Sequence, residues 1–226
     1  FDDTWIFDDG QWSRVHTSPE PRTNGAMAFN PLLEEVMLFG GYSTSSPGNL
    51  GYNDLWSWNG NRWLQHEGNE SNSPGPSQSA ALAHDGSRLL LFDNDDEGPR
   101  TWAWDNSWSL VSESGPDIGQ FQMAYDLDRD RVVLFGGWPA ASETWEWNGT
   151  AWQQMATTGP SPRFGFEMAY DEANDQMLLY GGTVGSTRFA ELWAWNGAAW
   201  TLIDEATAPG ARVNATLSWD PGRQAM

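Results

Sequence analysis

At 226 residues, with 39% hydrophobic and 14% aromatic residues, the chain is long and apolar enough for one all-β domain and too aromatic to be disordered. All 11 basic residues are Arg against 31 Asp and Glu, and the net charge of −20 argues against nucleic acid or an anionic membrane surface as partner. The absence of cysteine excludes thiol nucleophiles and Cys-ligated metals, and no apolar run reaches the ~18 residues of a membrane span.

In chain order, the first recognisable phrase is Trp5-Ile6-Phe7-Asp8-Asp9-Gly10 … Trp12. It returns as Trp56-Ser57-Trp58-Asn59-Gly60 … Trp63, as Trp102-Ala103-Trp104 … Trp108, as Trp145-Glu146-Trp147-Asn148-Gly149 … Trp152 and as Trp193-Ala194-Trp195-Asn196-Gly197 … Trp200. All 16 tryptophans except Trp138 and Trp219 belong to these five copies. Two Trp spaced by two share one face of a strand. Asn-Gly predicts a hairpin turn with positive φ at both central positions, and the last Trp opens the return strand.

A second phrase lies between the first ones. It reads Met27-Ala28-Phe29-Asn30 … Val36-Met37-Leu38-Phe39-Gly40-Gly41, then Met123-Ala124-Tyr125-Asp126 … Val132-Val133-Leu134-Phe135-Gly136-Gly137, then Met168-Ala169-Tyr170-Asp171 … Met177-Leu178-Leu179-Tyr180-Gly181-Gly182. This is a strand, a polar turn, a second apolar strand and a Gly pair that permits close backbone approach. The first Trp of each Trp phrase falls at 5, 56, 102, 145 and 193, a period of four-stranded propeller blades.

The Phe-Gly-Gly and Tyr-Gly-Gly ends followed by Trp-x-Trp-Asn-Gly resemble kelch repeats, closest to the bacterial kelch-like subset, over nearly the whole chain. The resemblance implies antiparallel four-stranded blades, with the Met-Ala-Tyr strand innermost and the Trp152-type strand outermost. Blades are expected over 21–66, 76–111, 117–155 and 162–203, with 1–15 and 212–226 supplying the outer and inner halves of a fifth. A single domain of five blades, or a fragment of a six- or seven-bladed propeller, both fit. Phe1 opens in mid-phrase and Met226 stops where Leu-Phe-Gly-Gly is due, so truncation is expected as readily as closure. The second repeat departs from the pattern with Phe92-Asp93-Asn94 in place of Phe-Gly-Gly and with His84 at the Tyr position.

Candidate sites are few. Trp at fixed register is expected in the core, although tryptophan also stacks on sugars. Trp138 lies in a loop without a repeat counterpart and is the first candidate for an exposed contact, and the long 42–53 loop is the second. Arg22, Arg163 and Arg212 lead into innermost strands in register, where Ser77 and Ile118 stand in the other repeats. They are expected either to ring a channel mouth as an anion pocket or to form structural ion pairs. Asp93, Asp95 and Glu97, followed by Gly98, resemble an alternating calcium loop, with a plain acidic surface loop as the alternative. An EF-hand fails, because Trp104 occupies the twelfth place.

No nucleophile elbow, His-metal pairing or phosphate loop is present, so no catalytic residue is assigned and no cofactor beyond a possible Ca²⁺. The expected function is a non-enzymatic binding or scaffold module with a protein or glycan partner, extracellular, on a cell surface or periplasmic. The alternatives are a carbohydrate-active enzyme with acids and Arg at the channel mouth, and a structural subunit of a larger assembly.

Overall fold

The structure, a computed structural model, describes residues 3–15, 18–43, 51–66, 72–95, 97–136, 142–204 and 209–226. These residues form an all-β protein of four-stranded antiparallel propeller blades, four complete and a fifth partial, with no helix among the described residues. They divide into two compact units, 1–95 with 100–111 and 96–99 with 112–226.

The first unit opens with a hairpin, β1 (Thr4–Asp8) and β2 (Gln11–Val15), which among the described residues pair with each other alone. Two blades follow. One is β3 (Ala26–Asn30), β4 (Glu35–Phe39), β5 (Leu55–Trp58) and β6 (Trp63–His66), in sequential order. The other is β7 (Ala81–His84), β8 (Leu89–Asp95), β9 (Gly98–Trp104) and β10 (Trp108–Ser112). Their shared core joins Met37, Phe39 and Leu55 of one blade to Leu82, Leu89, Leu91, Trp102, Trp104 and Trp108 of the next.

The second unit repeats the plan. One blade is β11 (Gln122–Asp126), β12 (Arg131–Gly136), β13 (Glu143–Trp147) and β14 (Trp152–Ala156). The other is β15 (Phe164–Asp171), β16 (Gln176–Val184), β18 (Leu192–Trp195) and β19 (Trp200–Asp204), with the short β17 (Thr187–Arg188) on the end of β16. Val133 and Phe135 of the first meet Phe166, Met168, Met177, Leu179 and Trp195 of the second. Each blade thus presents two apolar faces and buries one against its neighbour, because a single sheet cannot bury both. A fully enclosed side chain such as Trp195 contributes about 2–3 kcal/mol.

Two local expectations are corrected. In the complete blades the Asn-Gly turn is not a two-residue turn with both residues at positive φ. Gly60, Gly149 and Gly197 have φ of 87, 95 and 89°, but the preceding Asn does not. Each Asn instead uses its side chain: Asn148 Oδ1 accepts the backbone N–H groups of Thr150 and Ala151 at 3.0 and 2.9 Å. The reason is loop length, since Trp147 pairs with Trp152 and leaves four residues to span. Among the hairpins built from the Trp phrases, β1–β2 has the two-residue form, with Asp9 and Gly10 at φ 47 and 76°.

The second correction concerns 212–226, expected as two inner strands. These residues hold no strand; an isolated Asp220–Ala225 bridge closes the turn, in the register of Asn30 and Glu35 in the first complete blade. Two of the three Gly pairs, 40–41 and 181–182, take the expected positive φ, whereas Gly136 stays in β12 without one and Gly137 lies outside the described residues. Gly41 and Gly182, at φ 82 and 91°, donate to the carbonyls of Ser77 and Arg212, where the chain leads into the following repeat. A Cβ on Gly41 would meet Thr23 O at 2.7 Å.

Candidate functional site

The repeats build one device several times. In four of the five phrases an acid stands two residues before the first Trp and accepts its indole N–H: Asp3 from Trp5 at 2.8 Å, Asp54 from Trp56 at 2.6 Å, Glu143 from Trp145 at 2.7 Å and Glu191 from Trp193 at 2.9 Å. The alternation of the strand places both groups on one face. Two of these acids also receive the predicted arginines. Arg22 grips Asp54 with both terminal nitrogens at 2.6 and 2.8 Å, donates to Gly40 O and lies 4.3 Å over the Tyr52 ring. Arg163 donates to Glu191 at 2.6 Å and to Gly181 O, and lies 3.9 Å over Phe189. The Arg163 side chain is fully enclosed.

These are structural ion pairs, the second of the two expectations for Arg22 and Arg163. Their donors are spent on carboxylates and on the carbonyls that end the second strand, which staples strand one to strands two and three. Burial works to raise Asp54 and Glu191, yet the donated hydrogen bonds from Arg and Trp hold both below the usual carboxylate range. Arg212 is different: it is exposed, and its Nε donates to Gly210 O at 3.0 Å.

The second repeat carries the same device with its charges exchanged. Arg100 stands where the others have the acid, Ser77 where they have Arg, and Asp93 at the first Gly position. Asp95 then takes Arg100, whose Nη2 reaches Oδ1 and Oδ2 at 2.8 and 2.7 Å. Burial pushes the Asp93 carboxyl up, a hydrogen bond from Ser77 counteracts it, and the nearby Asp95 adds to the rise. The expected calcium loop is a β-hairpin: Asp93 and Asp95 lie in β8, and Glu97 is in the turn. Among the described residues no group of three or more His, Asp or Glu is placed to hold a metal ion.

Trp138 and residues 44–50 of the long loop lie outside the described residues. The registered tryptophans of the four complete blades are core or half-buried. Those of the first copy are not. Trp12 is 66% and Phe7 59% exposed, whereas Trp147 and Trp195, at the Phe7 position of later copies, are 1% and 0%. Phe7 and Trp12 keep the ring pairing of the other copies, with centroids at 5.0 Å, and Trp5 extends the same face. The hairpin is held from behind, where Trp63 Nε1 donates to Thr4 Oγ1 at 2.9 Å just as Trp200 does to Thr144 at 2.7 Å. The result is a firmly mounted aromatic face open to water.

One further group escaped sequence reasoning. Glu167 lies on β15 at the register filled by Ala26, Ala81 and Gln122 in the other innermost strands. Burial pushes its carboxyl up to about 7, against a hydrogen bond from the Met168 backbone N–H. A carboxylate so perturbed is suited to proton transfer at neutral pH. The signal was readable, as an acid at a register that is otherwise small or amide. Comparison of the chain with protein-family models and with curated proteins returns no match.

Proposed function

We propose that this chain is a kelch-like, non-enzymatic binding or scaffold module that works outside the cytoplasm and meets a protein or glycan partner through the aromatic face of β1–β2. The observation that carries the reading is the exposure of Trp5, Phe7 and Trp12 on a hairpin fixed to the blade behind it. Rigid aromatic side chains supply large contact area at low entropic cost, and they stack on sugar rings and apolar protein surface alike. The kelch-like assignment draws on the registered Gly pairs and Trp phrases, and the extracellular one on the net charge of −20 and the use of Arg alone as base.

The test is an immobilised panel of oligosaccharides, together with cross-linking of the native protein through a photoreactive residue at position 12. Saturable binding or a specific cross-link, lost in a Phe7→Ala, Trp12→Ala variant with an unchanged melting point, is the expected result. Neither binding nor a cross-link, or binding indifferent to the double substitution, overturns it.

A second reading, a carbohydrate-active enzyme, draws on Glu167 alone, whose raised carboxyl is the kind a glycosidase uses as general acid. Turnover of aryl glycosides that disappears in Glu167→Gln supports it. No turnover across α- and β-linked substrates between pH 5 and 8 overturns it.

A further inference from the structure

Two joints between neighbouring blades occupy the same register and are built from different chemistry. In the second unit Glu146, between the two tryptophans of its phrase, accepts the Trp195 indole of the next blade at 2.9 Å and the Arg129 guanidinium at 2.6 Å. In the first unit Ser57 stands at the place of Glu146 and Trp104 at that of Trp195. His66 on β6 joins them. Its Nε2 lies 2.8 Å from Ser57 Oγ, and its ring meets Trp104 edge to face, with centroids at 5.0 Å and planes at 71°.

Both polar members depart from the repeat. The position three residues after the Trp that opens the fourth strand holds Val111, Met155 and Ile203 in the other complete blades. The position of Ser57 holds Ala103, Glu146 and Ala194. Two exceptions thus meet in space, inside one unit.

Hydrogen-bond accounting fixes the state of the ring. Ser57 is fully enclosed, and among the described residues its hydroxyl has His66 as its one partner. The hydroxyl hydrogen therefore points at Nε2, and the neutral ring keeps its own hydrogen on Nδ1. A second proton would have to settle on Nε2. Nε2 would then donate, and the Ser57 hydrogen would lose its acceptor in a sealed site. The bond from Ser57 thus favours the neutral ring.

Burial acts in the same direction and lowers His66 below the ordinary histidine value, while the attraction of Glu35 on β4 opposes it. The other strands around the ring add no charge of their own: β5 and β10 carry none, β6 has none besides His66, and Arg100 on β9 is held by Asp95. His66 itself is half-buried, so protons from solvent reach it.

We propose that His66 is an acid-sensitive latch between the two complete blades of the first unit: in a mildly acidic medium its ring takes up a proton, leaves Ser57 for Glu35 and gives up its contact with Trp104. The sign follows from the linkage between protonation and folding. Above the ordinary histidine value the ring is neutral in the folded and the unfolded chain alike, and the joint is intact. As pH falls below that value the unfolded chain binds the proton first, so the stability of the unit declines toward acid. His84, whose Nδ1 accepts the Gly86 N–H, is also lowered by burial, so the test has to read His66 by itself.

The experiment is an NMR titration of the full chain, with isotope-labelled histidine, from pH 8 to pH 5. His66 is assigned by the resonances missing from His66→Met, which writes in the residue that β14 carries at this place. The expected result at pH 8 is the Nδ1–H tautomer, with nuclear Overhauser contacts between the His66 and Trp104 rings that disappear at pH 5. The midpoint should lie below the ordinary value of about 6.5. Glu35→Gln should move it further down through the lost attraction, and Ser57→Ala should move it up through the lost bond to the neutral ring. The urea midpoint should fall between pH 7.5 and pH 5.5 by more in the parent than in His66→Met. An Nε2–H tautomer at pH 8, a midpoint at or above the ordinary value, ring contacts that persist at pH 5, or equal acid losses in parent and variant overturns the proposal. Should His66→Met fail to fold, the resonances displaced in Ser57→Ala assign the ring, and the tautomer and midpoint of the parent decide.

Discussion

The hairpin at 4–15 and the hairpin at 192–204 are written in nearly the same words and live in opposite environments. Both pair an indole with an acid two residues earlier, and both stack an aromatic on the Trp that opens the return strand, at 5.0 and 5.6 Å. Trp195 is nevertheless sealed, with its Nε1 on Glu146, while Phe7 stands mostly in water. Local sequence determines the internal geometry of a Trp hairpin. Burial belongs to the neighbour.

The largest test of that contrast is a pair of truncations. Trp195→Ala should cost about 3–5 kcal/mol through the cavity it leaves, and it strands Glu146, which Arg129 also holds at 2.6 Å. Trp12→Ala should cost less than about 1 kcal/mol. Urea unfolding measures both, and equal losses would mean that the first hairpin is covered in solution.

Next come the arginines. Arg163→Ala should destabilise by about 2–3 kcal/mol, somewhat below a fully buried pair because the Glu191 side chain keeps 26% of its surface in water. Arg212→Ala should be silent within about 0.5 kcal/mol, since its guanidinium is exposed. A thermal melt that moved equally for both would refute the distinction between enclosed and exposed guanidinium groups.

The pH dependence is smaller and runs in two directions. Glu167 is raised in the folded state, so the native protein binds more protons than the unfolded chain between the ordinary Glu range and about 7, and stability falls as pH rises through that window. Glu167→Gln should remove that slope and leave the variant more stable than the parent at pH 8, by on the order of 1 kcal/mol after allowance for partial solvent access. Asp54 and Glu191 are lowered, so their contribution is present above the ordinary carboxylate range and disappears as pH falls through their folded values. Chemical denaturation at pH 4, 6 and 8 separates the two.

The smallest effect sharpens the comparison within the first unit. Arg100→Glu places a third carboxylate beside Asp93 and Asp95 and should cost about 1 kcal/mol. Adding Ser77→Arg and Asp93→Gly, which rewrites this blade in the form of its neighbours, should recover most of it. Failure of the triple variant to regain the parent's melting point would show that the exchange of charges is not self-contained.

Much of this was legible beforehand because repetition exposes register. The Trp phrases and the Met-Ala-Tyr strands announced where each blade would begin and which face would be apolar. The turns were misjudged by a count that the spacing already contained: Trp147 to Trp152 leaves room for four residues, and Asp8 to Gln11 for two. Ser77, Asp93 and Arg100 were visible as departures from the pattern, but their compensation is three-dimensional and a linear reading does not show it. The exposure of Phe7 and Met27 could not be read at all, because it depends on which face of which blade has a neighbour.

The Gly pairs carry a consequence for how such a molecule changes over generations. The seam from one repeat to the next is sewn by main-chain groups, Gly41 N–H to the carbonyl of residue 77 and Gly182 N–H to that of residue 212. One of those positions is Ser and the other Arg, so the stitch does not consult the side chain. A duplicated or deleted gene segment of one blade length would meet a joint that already fits. Copy number is then cheap to vary in a lineage, whereas the Gly pair itself, with backbone 2.7 Å from where a Cβ would stand on Gly41, is the part that drift cannot touch.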